Sequence, residues 1–323
     1  IAILIVDVNE GIKEQTKKHA YLLKLLGLNN VITVFNKMDK VKFDENVFKH
    51  LKAELDRFLQ NIGVKSLFSV PISAKLGDNI VDRSKKMEWY KKEKLVEILD
   101  NYKPDSLNFS EDLRFPVQDI YKHKDQRVIV GRIETGKMKI GDKLLFLPSN
   151  EEVSLKSFVC WPKSDSDYKA GDCIGITLDE EIYVDKGNMV SLQCNPPNLM
   201  NTFEASIFWL SEVSLDIKRK YLMKINTGEY SVNVQKVKRI INTNDLGVKK
   251  SDIVKKNDVC ELVLHSAQLV PMDDFKRNSK TGRFCILDEK EIVGGGIINL
   301  ENYPDQREQK VSYSPNIIPT NFS

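Results

Sequence analysis

The order of apolar and polar positions divides the chain in two. Over the first hundred residues, uninterrupted apolar runs alternate with stretches of helical period. Residues 1–6, Ile-Ala-Ile-Leu-Ile-Val, read as a strand buried on both faces, as in parallel sheets. Residues 7–11 form a turn. Residues 13–26 bring Ala20, Leu22, Leu23, Leu25 and Leu26 near one helical face, and Gly27 suits the C-terminal cap. Residues 31–35 are the next strand. Residues 43–62 are a second helix, with Val47, Leu51, Leu55, Phe58, Leu59 and Ile62 at helical spacing. Residues 66–72 are a third strand, and residues 94–99 begin a last helix. Strands alternating with helices through short links predict a doubly wound α/β sheet.

Beyond Pro104 the pattern changes to short strands punctuated by Gly, Asn and Asp, with no long helical period. Residues 115–121, 127–134, 143–146, 152–159 and 173–178 form one set. Residues 202–210, 220–225, 230–241, 259–264 and 282–287 form a second. Regular short strands with turns predict two β-barrels. Asn195-Pro-Pro-Asn198 is the link between them. The polar tail from Glu301, with Pro304, Pro315 and Pro319, reads as an extension or linker. The expected fold class is therefore α/β plus all-β. The expected domains are a C-terminal portion of an α/β domain at 1–105, barrels at 112–196 and 200–300, and a tail at 301–323.

Composition adds limits more than direction. With 323 residues the chain is long enough for two or three cores. Its 29% charged and 41% hydrophobic residues are ordinary for a globular protein. A net charge of +3 does not predict a nucleic-acid surface. Five scattered cysteines, Cys160, Cys173, Cys194, Cys260 and Cys285, show no metal spacing and read as reduced core thiols of a cytoplasmic protein. The apolar start is too short to span a membrane and lacks a basic region and cleavage site. The chain opens on Ile within an apolar run, so residues before Ile1 are expected to be deleted or disordered.

The chemistry lies where the second strand ends, in Phe35-Asn36-Lys37-Met38-Asp39-Lys40-Val41. The carboxyl edge of a parallel sheet is where open α/β folds bind ligands. Guanine presents two adjacent donors, its ring N–H and its exocyclic amine. The Asp39 carboxylate can accept both in one charge-assisted bidentate pair. Adenine carries an acceptor in place of the ring donor, so Asp39 would reject it. The Asn36 amide can tie the loop, and the stem of Lys37 can lie along the base. Ser73-Ala74-Lys75 stands at the end of the next strand. Backbone amides there can meet the guanine carbonyl, and Lys75 can cover the base. A plain polar turn remains the competing reading of either motif alone.

The two motifs in this order, followed by barrel-like segments, resemble the translational-type GTPases. Leu4-Ile-Val-Asp-Val-Asn-Glu-Gly11 with Glu14-Gln-Thr16 and His19 looks like the strand and helix after the second switch of that superfamily. Gly77-Asp-Asn-Ile-Val-Asp-Arg-Ser84 and Met87-Glu-Trp-Tyr90 are shared in outline by elongation factor 1-alpha and by the GTPase subunit of bacterial sulfate adenylyltransferase. Both typically carry Pro where Glu88 stands. Further along, Asp179-Glu-Glu-Ile182, Lys186-Gly-Asn188, Arg114-Phe-Pro-Val-Gln118, Asp273-Asp-Phe275, Thr281-Gly-Arg-Phe-Cys-Ile-Leu-Asp288 and Val293-Gly-Gly-Gly-Ile-Ile298 resemble the sulfate branch. Against them, Gly131-Arg-Ile-Glu-Thr-Gly136 is similar to the elongation factor. The resemblance covers about residues 1–300.

The resemblance implies a GTP-binding subunit that couples GTP hydrolysis to formation of adenylylsulfate from ATP and sulfate. Its partner would be a catalytic adenylyl-transferring subunit, with an adenylylsulfate kinase domain fused after the tail in some members. The alternative is a translational GTPase that delivers aminoacyl-tRNA. The cofactors implied are GTP and Mg²⁺, with the metal and phosphate ligands upstream of Ile1. No Gly-x-x-x-x-Gly-Lys-Ser/Thr stands in the sequence, and Gly294-Gly-Gly296 does not replace it. The covered chain is thus expected to carry no catalytic residue and no metal ligand. Its nucleotide contacts are expected at Asn36, Lys37, Asp39, Ser73, Ala74 and Lys75. The four histidines, the Lys122-His-Lys124 and Lys236-Val-Lys-Arg239 groups, Trp89, Tyr90, Phe208 and Trp209 read as surface or packing residues.

Overall fold

The structure is a computed structural model that describes residues 1–103, 112–123, 126–160, 167–241 and 253–307. In the α/β part, strands β1 (Ala2–Asp7), β2 (Asn30–Asn36) and β3 (Lys65–Pro71) form a parallel sheet in that order. Helices α1 (Glu14–Leu25), α2 (Glu45–Asn61) and α3 (Leu95–Asn101) complete it. The core joins Leu4 and Val6 of β1, the apolar residues of β2, Ala20 of α1, Phe48, Leu51, Leu55 and Leu59 of α2, and Ile98 of α3.

Three details depart from the sequence pattern. Strand β2 is buried along its length, but β1 is not, because Ile3 and Ile5 are 40% and 61% exposed. Helix α2 starts two residues later than its apolar period suggests. Lys42 and Phe43 sit at φ +55° and +61°, where a helix cannot run, and Asp44 caps the Asn46 and Val47 amides. Phe48 replaces Val47 and Phe58 as a buried residue of that helix. The Gly27 expectation fits the geometry: φ is +73°, and the Leu28 amide returns to the Leu23 carbonyl.

The first barrel contains β4 (Phe115–His123), β5 (Gln126–Arg132), β7 (Lys143–Leu147), β8 (Glu151–Val159), β10 (Cys173–Leu178) and β11 (Met189–Leu192). They close in the order β10-β5-β4-β11-β7-β8, with a small β6 (Lys137–Met138) and β9 (Tyr168–Lys169) pair beside them. The second contains β12 (Asn198–Trp209), β13 (Lys220–Ile225), β14 (Gly228–Ile241), β15 (Val259–Met272), β16 (Arg283–Asp288) and β17 (Glu291–Asn299). It closes as β12-β15-β14-β13-β16-β17.

Each barrel thus gains a strand, β11 and β17, that the hydrophobic pattern did not disclose. β11 is four residues long. β17 carries Gly294, Gly295 and Gly296, which weaken any strand signal. Gly296 above all answers to crowding. A Cβ on Gly296 would lie 2.5 Å from the Ser206 carbonyl oxygen and 2.9 Å from Ile207 Cγ1. Phe208 and Trp209 are buried as expected, with Trp209 edge-on to Tyr221 and its indole N–H donating to the Val213 carbonyl at 2.8 Å.

A buried polar cluster helps tie the barrels together. Arg114, fully buried just before β4, reaches Asp273 of the second barrel. Its Nε and Nη2 donate to the two carboxylate oxygens at 2.8 Å each. Its Nη1 donates to the Leu113 and Asn195 carbonyls at 2.8 and 2.9 Å. The Thr281 hydroxyl donates to Asp273, Asn278 donates to Thr135 at 3.1 Å, and Arg277 pairs with Asp112 at 2.8 Å. The Asn195-Pro-Pro-Asn198 link is therefore pinned rather than free.

The start of the tail is pinned as well. Gln306 accepts the Asn201 amide at 2.6 Å, and Arg307 donates to the Pro197 carbonyl at 2.8 Å. The rest of the tail, 308–323, lies outside the described residues. None of the five cysteines is joined in a disulfide, but just Cys260 is a core thiol. Cys160 and Cys285 are half-buried, and Cys173 and Cys194 are exposed. No helix among the described residues is long and apolar enough to cross a membrane.

Candidate functional site

Parallel pairing sets Asp7 of β1 opposite Asn36 of β2, and Phe35 opposite Pro71 of β3. The carboxyl ends of all three strands therefore meet at one rim, and Asn36 to Asp39 and Ser73 to Lys75 leave the sheet there. Two backbone bonds continue the sheet past its last rung: Ile72 N–H to the Phe35 carbonyl at 2.8 Å, and Met38 N–H to the Ile72 carbonyl at 3.1 Å.

Side chains then stitch the two loops. The Asn36 amide oxygen accepts the Lys37 N–H at 2.7 Å and the Ala74 N–H at 3.0 Å. The buried Ser73 hydroxyl donates to Asp39 Oδ1 at 2.7 Å. The Ser73 hydroxyl above all, with the Asp39 backbone amide and the charges of Lys40 and Lys75, holds the Asp39 carboxyl below its ordinary value against the opposing effect of burial. Asp39 is thus an ionised, half-exposed acceptor at neutral pH. Asn36, Lys37, Asp39, Ser73 and Ala74 come together as one constellation. Lys75 follows on the exposed side of the loop. The Ala74 amide, read from sequence as available to a ligand carbonyl, here donates to Asn36.

Lys37 holds the least ordinary geometry. Its φ is +68°, and its Nζ lies 2.5 Å from Asp7 Oδ2. The hydrogen bond that Lys37 donates to Asp7, the Asp7 charge, and the charges of Glu10 and Asp39 raise the Lys37 pKa. Burial pushes Asp7 up, but Lys37 and the Asn9 and Glu10 amides outweigh it, and its carboxyl sits below the ordinary value. A lowered carboxyl contributes stability that is present above pH 3.8 and fades as pH falls through the folded value. A raised ammonium contributes below pH 10.5 and fades as pH rises past it. The pair therefore persists across the whole interval between. Sequence reasoning took Asp7 for a turn residue; its signal was positional, the last residue of a strand directly beside the motif strand.

Below this rim, Asn79 at φ +58° donates to the Pro71 carbonyl at 3.0 Å and accepts the Ser84 amide at 2.9 Å, which braces the Ser73 loop. Trp89 and Tyr90 pack as expected. The Trp89 indole donates to the Phe43 carbonyl at 3.1 Å, and the Tyr90 hydroxyl donates to the Glu93 carbonyl at 3.0 Å. His19 and His50 are exposed, and His265 lies 2.9 Å from the Thr202 hydroxyl. Among the described residues no group of three or more His, Cys, Asp or Glu could hold a metal ion.

Residues 1–105 match the family model of the elongation factor Tu GTP binding domain. Residues 202–299 match that of the GTP-eEF1A C-terminal domain-like family. The chain is 30% identical to sulfate adenylyltransferase subunit 1 of Cellvibrio japonicus over 97% of its length and 67% of the relative's. It is 31% identical to the subunit of the same name from Bacteroides fragilis, over 89% of this chain and 61% of that one. It is 29% identical to the bifunctional enzyme NodQ of Rhizobium tropici, over 97% of this chain and 50% of that one. It thus spans between half and two thirds of the length of these relatives. Among solved structures, Sup35 complexed with GDP aligns with a TM-score of 0.56 at 24% identity, covering 92% of this chain and 78% of that one. At that identity the likeness concerns the fold. Motif loops, two closed barrels and relatives together place the chain in the sulfate adenylyltransferase subunit 1 family, a branch of the elongation-factor-Tu-like GTP-binding proteins.

Proposed function

We propose that this protein is the GTP-binding subunit of a sulfate adenylyltransferase, which couples GTP hydrolysis to the formation of adenylylsulfate from ATP and sulfate. The carrying observation is the ionised Asp39 carboxylate at the rim of a parallel sheet, fixed by Ser73, in a chain whose relatives bear that enzyme's name. In this reading Asp39 accepts the ring N–H and exocyclic amine of guanine. Asn36 holds the two loops at one spacing, and Ser73 aims the carboxylate. Ala74 shapes the floor of the site. The stems of Lys37 and Lys75 flank the base. Mg²⁺ accompanies the nucleotide phosphates, whose ligands the family pattern puts upstream of Ile1.

The partner in this reading is a catalytic subunit that transfers the adenylyl group of ATP to sulfate and releases pyrophosphate. NodQ is named a bifunctional enzyme, which fits a further catalytic domain following the barrels in part of the family. Such a reaction belongs in the cytoplasm, where both nucleotides are held. The domain limits that go with it are 1–105, 112–196, 200–300 and 301–323.

Two measurements test the proposal. In the full-length protein, Asp39→Asn replaces an acceptor-only group with one that also donates. Its complement is a base with a carbonyl where guanine has its amine. Losing two charge-assisted hydrogen bonds weakens GTP binding by about a hundredfold or more, while xanthosine triphosphate gains. Unchanged GTP preference refutes the role given to Asp39. The second measurement is reconstitution with the adenylyl-transferring subunit, where adenylylsulfate formation rises with GTP. If the protein instead binds aminoacyl-tRNA tightly on filters at physiological salt, the translational reading replaces this one.

A further inference from the structure

The sheet rim holds a residue that neither motif contains. Asp7 ends β1 and stands beside Asn36 in the pairing register. Its Oδ2 meets Lys37 Nζ, and its Oδ1 accepts the Asn9 amide at 2.9 Å. Lys37 needs such a partner. A lysine at φ +68° gains no steric relief from its own side chain, and a left-handed backbone at a non-glycine position is unfavourable unless its surroundings fix it. Three bonds supply that fixing. The Lys37 N–H donates to Asn36 Oδ1, the Lys37 carbonyl accepts the Lys40 N–H at 2.9 Å, and the ammonium binds Asp7. The first two lie inside the loop. The third ties the loop to a different strand and locates the side chain in space.

We infer that Asp7 is a positioning residue for the guanine site: it anchors the Lys37 ammonium and so fixes both the left-handed turn that presents Asp39 and the direction of the Lys37 stem. Asp7 has no contact with the base in this account; it acts through Lys37. The inference rests on the nucleotide-site reading above. A carboxylate at this position also keeps the Lys37 charge compensated beside the ionised Asp39, so that Lys37 does not swing across to neutralise the group that must receive the base.

The test uses the full-length protein and fluorescent GDP, with affinity and dissociation rate as readouts. Asp7→Asn keeps the acceptor for the Asn9 amide and removes the charge. It is expected to raise the GDP dissociation constant about threefold to fivefold, the scale of a partly exposed ion pair, mainly by faster release. Lys37→Met, which keeps the stem, is expected to do at least as much. Asp7→Asn added to Lys37→Met is expected to change nothing further, because the partner is gone. The ratio between wild type and Asp7→Asn is expected to narrow as salt is raised, which a merely structural role of the turn would not produce. Wild-type affinity in Asp7→Asn, or losses that multiply in the double variant, overturns the inference. Asp39→Asn is the control for the reading beneath it. If Asp39→Asn switches base preference and Asp7→Asn is silent, the site stands and the anchor falls; if Asp39→Asn is silent, the site itself falls.

Discussion

Asp273→Ala will unfold the barrels at a temperature on the order of 10 °C lower than wild type. The reason is the partner left behind. Arg114 is fully buried, and Asp273 takes two of its donors in one bidentate contact while also receiving Thr281. Removing one member of a buried pair strands the other charge away from water, which costs about 3–5 kcal/mol. For a body of this size, that converts to about 2–4 °C per kcal/mol in a thermal scan. The loss falls to nearly nothing if both charges go. The double variant Arg114→Met with Asp273→Leu fills similar volume without ions and should recover most of the stability, since buried pairs contribute little net free energy beyond an apolar replacement. A double variant as unstable as Asp273→Ala would mean that the cluster matters for its hydrogen-bond geometry to Leu113 and Asn195 and not for charge balance.

The three glycines of β17 give a graded prediction. On Gly296 a Cβ would meet the Ser206 carbonyl oxygen at 2.5 Å and Phe284 Cζ at 3.1 Å, and the carbonyl belongs to the neighbouring strand β12. A backbone atom in a ladder cannot swing aside as a side chain does. Gly296→Ala should therefore cost about 3 kcal/mol, the upper end for overpacking. On Gly294 the nearest atom is the Phe208 carbonyl oxygen at 3.1 Å, so its alanine variant should lose less. On Gly295 the nearest contact is 3.7 Å from the Phe284 carbonyl, ordinary van der Waals range. Gly295→Ala should be neutral or slightly stabilising, because alanine restricts the unfolded chain more than glycine does. Denaturant unfolding of the three single variants gives the ranking directly, and equal losses would show that the glycines are not read by their neighbours.

The same residues explain what was legible beforehand. β2 and the long helix α2 could be read because each carries a strong period and a large buried face. The meeting of the Asn36 and Ser73 loops could be read because their motifs stand at the ends of successive strands of one parallel sheet. β11 and β17 could not, since a four-residue strand and a triple-glycine strand carry their reasons in the neighbouring strand and not in their own sequence. The late start of α2 was hidden for a related reason. Helical period continues through Phe43, but the left-handed backbone at Lys42 and Phe43 and the Asp44 cap decide where the helix begins. Asp7 was hidden by being ordinary: one aspartate at the start of a turn gains its meaning from strand register. The Arg114 cluster joins positions 159 apart, and although both stretches stood out in the sequence, nothing local paired them.

Closure of the two six-strand rings has a consequence for recognition. A sheet with a free margin offers a row of amides and carbonyls to which a foreign peptide can add itself as one more strand. In each ring described here every strand has a neighbour on both sides. No incoming segment can extend either ring without breaking it open. Whatever the barrels bind must therefore be recognised through side chains and loop surfaces, where single substitutions can change the choice of companion without disturbing the scaffold.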